Sequence, residues 1–488
     1  MKFILSLLLL VALPIWSQVE ITNIVHQSDT NLPVINGYSL VADQEKGFSV
    51  FLMDGKKIYG NGFDSDYNYL GTLASREISA FEDYVAGKSY GEDYHLFFKH
   101  RREASLQALT YNFTKDTVVE STVFINISGQ KILQSFEHNN TVHLLTVATQ
   151  EDILYVHSID ENFSIDTRKF DVSGYAFYNG AQNERPFHNL ILDNFQKITG
   201  IGMNPSQERF PMTIPESTGL TKIYKKDASL TLVLDVSRIF TQILSIDIAT
   251  GNISFKNIEK VSEKQKNQVA QSNSYLLGDE LYQIVRRNNV LEISIKNIET
   301  GFLLNSFVLT DGDVFPYTNT ATLTLKPSKK QRKEVKPSKL LRFAKYHPLG
   351  IYATKTDDAT EITYGTWNKE RGNNSSLNNS KTNSPMVGLM SATFGVAGGL
   401  IYLAVSSGNS IQSYGMHHLG MTTRAIGVFD ENFQHLPKKG VKANIYHKID
   451  HYNYRKEGTT PFLLFQFKGT IIYGSFYPDQ NAIKLLKF

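Results

Sequence analysis

The sequence of 488 residues contains no cysteine and only two tryptophans, Trp16 and Trp367. Without cysteine, the chain can form neither a disulfide framework nor a thiolate metal site. Because secreted eukaryotic proteins of this length usually carry disulfides, export of this chain would favour a bacterial protein. The charges are nearly balanced, at 50 basic and 47 acidic residues. This balance predicts no acidic partner, and we expect no binding to nucleic acid.

The amino terminus predicts export. Residues 3–13 form a largely apolar run behind a single lysine, and Pro14 followed by small or polar residues ends it. This is the layout of a secretory signal peptide, and the run is shorter than the roughly 20 residues that a membrane span needs. We expect residues 1–18 to be removed and the mature chain to be secreted or periplasmic, with no transmembrane segment. An uncleaved membrane anchor is the alternative.

One stretch of the chain, Gln130–Val172, predicts four β-strands in succession. The four runs are Lys131–Phe136, Val142–Ala148, Ile153–Ile159 and Phe163–Val172, and polar turn residues separate them. Four short strands in a little over forty residues is the length and pattern of one β-propeller blade.

Looser copies of this unit recur along the chain. Ser229–Ile248 and Tyr275–Gly301 repeat the strands and turns, and Val428–Phe433 repeats the turn sequence Asp-Glu-Asn-Phe. Polar turn residues also recur at spacings near one, two or three units of about 40–45 residues. These residues are Asp116, Asp160, Asp247, Asn297 and Asp430.

Several apolar runs do not alternate with polar residues, namely Leu144–Ala148, Leu230–Val236, Leu400–Val405 and Phe462–Phe467. Strands buried on both faces have this pattern, whereas a two-sheet sandwich would alternate more cleanly. We therefore predict one all-β domain over residues 19–488, a β-propeller with seven blades preferred and eight possible. Because a ring must join its ends, we expect Tyr38–Val41 and Ile483–Phe488 to lie in the same or adjacent blades.

Three segments depart from the strand pattern. Ser75–Ala86 places Ile78, Phe81 and Val85 on one helical face, and this predicts a short helix inserted near residues 75–86. Residues 326–342 are strongly basic between two prolines, and residues 371–384 are rich in Asn and Ser. We expect both of the latter to be exposed insertions that bury no core.

At the level of blades such as Val142–Val172 and Ser229–Ile248, the chain resembles the broad group of secreted bacterial β-propellers. The resemblance rests on the pattern of strands and turns. The chain has no Trp-Asp or Gly-His pairing of the WD40 type and no kelch double-glycine motif, and its two tryptophans argue against quinoprotein-type blades. The resemblance implies a propeller fold and assigns no residue a role.

The segment Asp64-Ser-Asp-Tyr-Asn68 begins like a calcium loop, because Asp64, Asp66 and Asn68 offer oxygen at alternate positions. Tyr69 stands where an EF-hand needs glycine, and Ser75 stands where it needs glutamate. A polar turn is therefore the preferred interpretation, with calcium as the alternative.

Two further sets of residues could bind ligands. His417 and His418 could share a metal only in a loop, with His435 or His447 as a third ligand, and a hydrogen-bonded structural role is preferred. The basic run contains Lys329, Lys330, Arg332 and Lys333, which could bind an anionic surface. A solvated insertion is the preferred interpretation of this run.

The chain has no thiol nucleophile and no Gly-x-Ser-x-Gly elbow. We therefore predict a non-catalytic propeller, monomeric and without a cofactor, that binds a protein or glycan partner in the cell envelope or outside the cell. The alternative is a hydrolase or lyase that acts on glycans with carboxylates at the central channel. Three or more acidic or histidine side chains meeting at the channel mouth would favour the enzyme, and an aliphatic channel would exclude it.

Overall fold

The computed structural model describes residues 19–25, 36–54, 56–78, 81–100, 105–195, 198–201, 210–312, 315–326, 331–356, 358–369, 420–454, 460–477 and 480–488. In these ranges the strands form seven sheets of four or five strands and one short hairpin. The protein is a seven-bladed β-propeller, which confirms the predicted fold class and the preferred blade number.

Blades 1 to 3 each contain four strands that follow one another in the chain. After a first strand, Val19–Val25 (β1), their strands are Asn36–Val41 (β2), Gly47–Met53 (β3), Ile58–Asp64 (β4), Tyr69–Ala74 (β5), Phe81–Tyr90 (β6), Asp93–His100 (β7), Ser105–Asn112 (β8), Thr117–Phe124 (β9), Gln130–His138 (β10), Thr141–Ala148 (β11), Ile153–Ile159 (β12) and Ile165–Asp171 (β13). Strands β10–β13 are the unit predicted from residues 130–172, and this prediction is confirmed.

A hairpin and a helix separate blade 3 from blade 4. They are Phe177–Tyr178 (β14), Glu184–Arg185 (β15) and Phe187–Asp193 (α1). The strands of blades 4 and 5 then follow as Ile198–Ile201 (β16), Thr221–Lys226 (β17), Ser229–Leu234 (β18), Phe240–Asp247 (β19), Ile253–Glu259 (β20), Val269–Leu277 (β21), Glu280–Arg287 (β22), Val290–Asn297 (β23) and Leu303–Leu309 (β24). Strand β16 pairs in parallel with β17, and a short helix between them, Ile214–Ser217 (α2), allows this direction.

Blade 6 does not follow chain order. Its sheet runs β26-β25-β29-β28-β27, so its two outer strands precede its inner strands in the sequence. The elements are Leu323–Lys326 (β25), Gln331–Glu334 (β26), Pro337–Ala344 (α3), Leu349–Thr356 (β27), Ala359–Asn368 (β28) and Met421–Phe429 (β29).

Blade 7 joins the two ends of the chain. After the helix Ile445–Tyr454 (α4), its strands are Thr460–Phe467 (β30), Thr470–Tyr477 (β31) and Ala482–Lys487 (β32). Strand β1 is its fourth strand and pairs antiparallel with β32. The apolar cluster beside it contains Phe48 of blade 1 and Ile483 of blade 7, so the predicted closure between adjacent blades is confirmed.

The apolar core lies between blades. Separate clusters join blades 7 and 1, 1 and 2, 2 and 3, 3 and 4, 4 and 5, and 5 and 6. The middle strands of blades 1 to 5 are therefore covered on both faces. The run Leu144–Ala148 is buried in this way. The run Leu230–Val236 is buried except at Thr231 and Val236, which are half-buried, and Leu400–Val405 lies outside the described residues.

The turn after the third strand from the axis has one geometry in blades 1, 3 and 6. In blade 3, Asp160 Oδ1 accepts hydrogen bonds from the amides of Asn162 and Ser164, and Phe163 has a φ of 63°. In blade 6, Asp430 Oδ1 accepts in the same way from Asn432 and Gln434. The sequence repeat of this turn is thus a repeat of hydrogen bonds. In blade 2 the capping position belongs to Asn112 and not to Asp116.

The predicted helix near residues 75–86 is wrong. Residues 81–90 form β6, the inner strand of blade 2, and pair with β7. Tyr84, Val85 and Ala86 are all buried, because neighbouring blades cover both faces of this strand. Gly87 belongs to the same strand, where a Cβ would lie 2.4 Å from the Tyr84 hydroxyl. Because this strand is buried on both faces, its apolar residues happened to fall at the spacing expected for one face of a helix.

The prediction of an exposed, coreless insertion over residues 326–342 is wrong for much of this segment. Strand β26 pairs with β25, and α3 buries Leu340 and Leu341 against blades 5 and 6. Residues 371–384 and the proposed signal peptide, residues 1–18, lie outside the described residues. None of the helices in the described ranges is long and apolar enough to cross a membrane.

Candidate functional site

The inner strands surround the axis of the propeller, and one end of this axis is filled by protein. The segment between β16 and β17 of blade 4 crosses to blades 6 and 7: Phe210 packs against α4 and blade 7, and α2 packs against β27 and β28 of blade 6. Ile214, Ser217 and Phe210 are buried there.

The filling segment fits closely because its helix is capped and its neighbour is glycine. Thr213 and Glu216 form a capping box, in which Glu216 Oε2 accepts from the Thr213 amide at 2.9 Å. A Cβ on Gly350 of β27 would lie 2.2 Å from Ser217 Oγ, so only glycine permits this approach.

At the other end of the axis, two carboxylates meet one lysine. Lys88 Nζ, at the end of β6, lies 2.9 Å from Asp43 Oδ1 of blade 1 and 3.3 Å from Glu137 Oε2 of blade 3. Burial raises the pKa of Glu137, although Lys88 opposes the effect. Burial lowers the pKa of Lys88, but the two carboxylates outweigh it and the pKa of Lys88 is raised overall.

This arrangement meets the criterion for an enzyme only in part. Two carboxylates converge on Lys88, whereas three acidic or histidine groups were the requirement. Both of them already contact an ammonium group, and this favours ion pairing over proton transfer.

Two histidines of blade 3 have structural partners. His143 Nδ1 accepts from Ser158 Oγ at 2.8 Å and its Nε2 lies 3.2 Å from the His138 carbonyl oxygen. His157 contacts Thr167 Oγ1 at 2.9 Å. Burial lowers the pKa of both rings to about 4, so they are neutral above that pH. They lie on opposite faces of the sheet, because His143 pairs with Ser158 and not with His157.

The calcium-like segment is another blade turn. Asp64 Oδ1 accepts from the amides of Asp66 and Asn68, each at 2.8 Å, and its Oδ2 accepts from Asn68 Nδ2 at 2.9 Å. These hydrogen bonds, led by the Asn68 side chain, lower the pKa of Asp64. The segment thus has the hydrogen bonds of a polar turn. In the described ranges no group of three or more His, Asp or Glu residues could hold a metal ion.

Only some of the remaining candidates belong to the described residues. His417, His418, Lys329 and Lys330 lie outside the described residues. His435 Nε2 contacts Asn319 Oδ1 at 2.9 Å, and His447 Nε2 contacts Arg424 at 3.2 Å. Arg332 and Lys333 are exposed on β26, the outermost strand of blade 6.

A groove of about 490 Å³ runs between the outer halves of blades 4 and 5. Strand β23 forms one wall with Glu292, Ser294 and Lys296, which face blade 4 at alternate positions. The opposite wall is formed by residues 257–262, and Leu303 and Ser306 of β24 line the outer rim.

The charges along this groove are balanced. Glu292 Oε2 accepts from Arg287 Nε at 3.1 Å, and Lys266 Nζ lies 3.3 Å from Glu259 Oε1. Lys296 donates to the backbone oxygen of Glu259, and burial lowers its pKa. The groove therefore presents polar groups without a net charge, a surface suited to an uncharged polar ligand.

An ionic network lies beneath the groove wall. Lys260, which also lines the groove, places its Nζ 2.8 Å from Asp235 Oδ1, and Lys222 Nζ lies 3.5 Å from Asp235 Oδ2. All three side chains are fully buried. The remaining Asp235 contacts reach Ser274 and Thr241, so the network joins blades 4 and 5.

Sequence reasoning missed this groove, although part of the signal was present. Residues 291–296 alternate apolar and polar, and Glu292, Ser294 and Lys296 form the polar face. That pattern predicts a strand with one polar side. It does not predict that residues 257–262 of the preceding blade face the same side.

Comparisons with known proteins leave the family open. No protein-family model matches the chain, and no curated protein matches it either. Among solved structures, the chain is similar to a member of the DUF4221 family from Bacteroides vulgatus, with 7% identity over 94% of this chain and 97% of that one, at a TM-score of 0.31.

The chain is also similar to dipeptidyl peptidase 4 from Porphyromonas gingivalis, with 9% identity, 69% and 45% coverage and a TM-score of 0.34. TolB from Acinetobacter baumannii gives 10% identity, 56% and 53% coverage and a TM-score of 0.23. The chain thus spans about half the length of these two proteins. At such TM-scores the likenesses carry no argument about function.

Proposed function

We propose that the protein is an exported, non-catalytic propeller that binds a glycan in the groove between blades 4 and 5. The observation that carries this proposal is the groove itself, with Glu292, Ser294 and Lys296 aligned on one wall. Hydroxyl, carboxylate and ammonium groups without a net charge can hydrogen-bond the hydroxyls of a sugar. A peptide partner would gain less from a polar, charge-balanced wall.

A glycan array followed by calorimetry tests the proposal. The parent protein should bind one class of glycan, and Lys296→Met should weaken that binding at least about tenfold by removing a donor from the wall. Lys355→Met, a surface lysine of blade 6, is the matched control and should bind like the parent. Equal binding by both variants, or no glycan binding by the parent, would overturn the proposal.

The hydrolase or lyase alternative rests on Glu137, whose raised pKa suits a general acid. It predicts new chain ends when the protein is incubated with a bound glycan, and their loss in Glu137→Gln. Unchanged glycan after long incubation supports the non-catalytic proposal.

A further inference from the structure

A row of basic side chains crosses one end of blade 6. Helix α3 leads from β26, the outermost strand of the blade, to β27, the innermost strand. Its apolar residues Leu340 and Leu341 pack in one cluster with Ile214 of α2, so α3 lies at the filled end of the axis. The basic side chains of β26 and of the opposite face of α3 form what we call the basic ridge: Arg332, Lys333, Lys336, Lys339, Arg342 and Lys345.

The basic ridge carries charge that the protein does not neutralise. Residues 331–345 contain one acidic residue, Glu334, and α3 contains none. Like charges three residues apart on a helix repel one another, and this repulsion is a cost that an anionic partner would remove. Within the described ranges, five of the six cations form no ion pair with a carboxylate, namely Arg332, Lys333, Lys339, Arg342 and Lys345.

Two aromatic rings hold the cations of α3 in place. Lys339 Nζ lies 5.3 Å from the ring centroid of Phe343, and Arg342 Cζ lies 5.8 Å from the same centroid. Lys345 Nζ lies 5.4 Å from the ring centroid of Tyr346, a side chain that is 67% exposed. These cation–π contacts favour defined positions of the charged groups, so less side-chain entropy is lost when a ligand binds.

The spacing of the cations favours a linear ligand over a flat one. Lys339, Arg342 and Lys345 follow one another at three-residue intervals. On a helix, each is about 4.5 Å further along the axis and turned by about 60° from the one before. A chain that winds across the helix can contact all three, whereas a plane contacts fewer. Because Leu340 and Leu341 are buried in the core, α3 also has no apolar face to insert into a bilayer.

The aromatic rings distinguish between two kinds of linear polyanion. Proteins that bind single-stranded nucleic acid stack successive bases on aromatic side chains. Here a cation already lies over the ring of Phe343 and another over the ring of Tyr346. An acidic polysaccharide needs no such stacking, because its carboxylate or sulfate groups can pair directly with ammonium and guanidinium groups.

We propose that the basic ridge binds an acidic polysaccharide, a chain whose sugars carry carboxylate or sulfate groups. The arginines would donate paired hydrogen bonds to these groups, and the lysines would add point charges. The ridge is separate from the groove between blades 4 and 5, and the proposal does not depend on glycan binding there. It departs from the expectation, drawn from the balanced charge of the whole chain, that no acidic partner binds, because the charge of the ridge is local.

Titration calorimetry with matched ligands tests the dependence on charge. The probes are an oligogalacturonate with its methyl ester and dextran sulfate with dextran, so each acidic chain has a neutral counterpart. The parent should bind at least one acidic chain and neither neutral chain. The affinity should fall as the salt concentration approaches about 1 M, where the Debye length is about 3 Å. Binding of neither acidic chain, or equal binding of an acidic chain and its counterpart, would overturn the proposal.

Two double variants locate the binding. Arg342→Gln with Lys345→Gln should weaken the binding of the acidic chain at least about tenfold by removing two cations. The matched control, Lys226→Gln with Lys355→Gln, removes the same charge from two exposed lysines outside the ridge and should bind like the parent. Both variants should melt near the temperature of the parent, because all four side chains are exposed. Equal affinities of the two variants would contradict the proposal.

Vesicles of phosphatidylglycerol and a single-stranded oligonucleotide test the alternative partners. Both should bind more weakly than the acidic polysaccharide, and binding of either that is equally tight or tighter would assign the ridge to that partner and overturn the proposal. Lys296→Met changes the groove and should leave the binding of the acidic chain unchanged, so the ridge and the groove are tested separately. A loss of that binding in Lys296→Met would place the acidic chain in the groove instead.

Discussion

Blades 2 and 3 and blades 4 and 5 bury titratable side chains in opposite ways. In blades 2 and 3 three of the buried groups are histidines, and they are neutral. In blades 4 and 5 they are lysines and an aspartate, and they are held as an ionic network. The difference shows that this fold avoids the cost of an unpaired buried charge in two ways. The histidines are buried in their neutral form, and the lysines are buried beside a carboxylate.

The histidines share one kind of partner. His95, His143 and His157 each contact a hydroxyl on the next strand of the sheet, from Thr110, Ser158 and Thr167 respectively. A hydroxyl can donate to a neutral imidazole nitrogen, so burial requires no counter-charge. Burial lowers the pKa of all three rings to about 4.

The lysines have one carboxylate between them. Lys222 also donates to Asn273 Oδ1 and to the Gly219 oxygen, and Lys260 donates to the Ser237 oxygen. Burial lowers the pKa of Lys222 to about 8, because Asp235 compensates only part of the cost and Lys260 adds repulsion. The two lysines lower the pKa of Asp235 against the opposing effect of burial.

Acid should lower the free energy of unfolding through the buried histidines of blades 2 and 3, and we expect this effect to be the largest. The folded pKa of each ring is about 4 and the unfolded value about 6.5, so the unfolded state binds more protons between these values. Stability is therefore lost as the pH falls from 6.5 to 4, by up to about 1.4 kcal/mol per pH unit for each ring. Urea unfolding across this range measures the slope, and His157→Asn should reduce it by about one third. A slope that His157→Asn leaves unchanged would contradict the assignment.

Removing the shared carboxylate should strongly destabilise blades 4 and 5. Asp235→Ala leaves two buried ammonium groups without a counter-charge, and we expect a loss of about 3–5 kcal/mol in the free energy of unfolding. The control is Asp279→Ala, because Asp279 pairs with Lys226 at 4.0 Å and both side chains are exposed. That variant should lose less than about 1 kcal/mol. Similar losses in both variants would show that burial does not set the strength of these pairs.

At alkaline pH the stability of the protein should depend on the loss of a proton from Lys222. Since the pKa of Lys222 is about 8 when folded and higher when unfolded, the unfolded state binds more protons above pH 8. The stability of the parent relative to Lys222→Met should rise by about 1.4 kcal/mol per pH unit between pH 8 and 9.5. Unfolding in urea at several pH values measures this difference. A difference independent of pH would mean that Lys222 keeps its proton.

The smallest effect should come from an exposed pair. Lys355 Nζ contacts both carboxylate oxygens of Glu280 at 3.0 Å, but more than half of its side chain is exposed. We expect Lys355→Ala to cost less than about 1 kcal/mol and the cost to shrink in high salt. A larger cost, or one that does not change with salt, would show that this exposed pair stabilises the fold as strongly as the buried network does.

Much of the fold could be predicted from short segments. The turn at Asp160 forms through hydrogen bonds within five residues, so its sequence recurs wherever the turn recurs. The same reasoning identified the turn at Asp64. It failed at residues 75–86, because a strand buried on both faces and an amphipathic helix can place apolar residues at the same positions.

The candidate site is formed by contacts between blades, and these contacts could not be predicted from the sequence. Glu292, Ser294 and Lys296 were visible as the polar face of a strand, but the opposite wall comes from blade 4. The outer strands of blade 6 precede its inner strands, and residues 210–218 cross to blades 6 and 7. No local pattern marks either arrangement.

The sequence by itself determined most of the strands and the repeated turns, because these depend on side-chain alternation and on hydrogen bonds between near neighbours. Only the tertiary structure decided which titratable groups are neutral and which are charged. Asp235 and Ser274 belong to different blades, as do Lys88 and Glu137, and their burial and electrostatics arise where the blades meet. Burial and electrostatic interaction depend on how close these residues lie in space, and only the complete fold determines those distances.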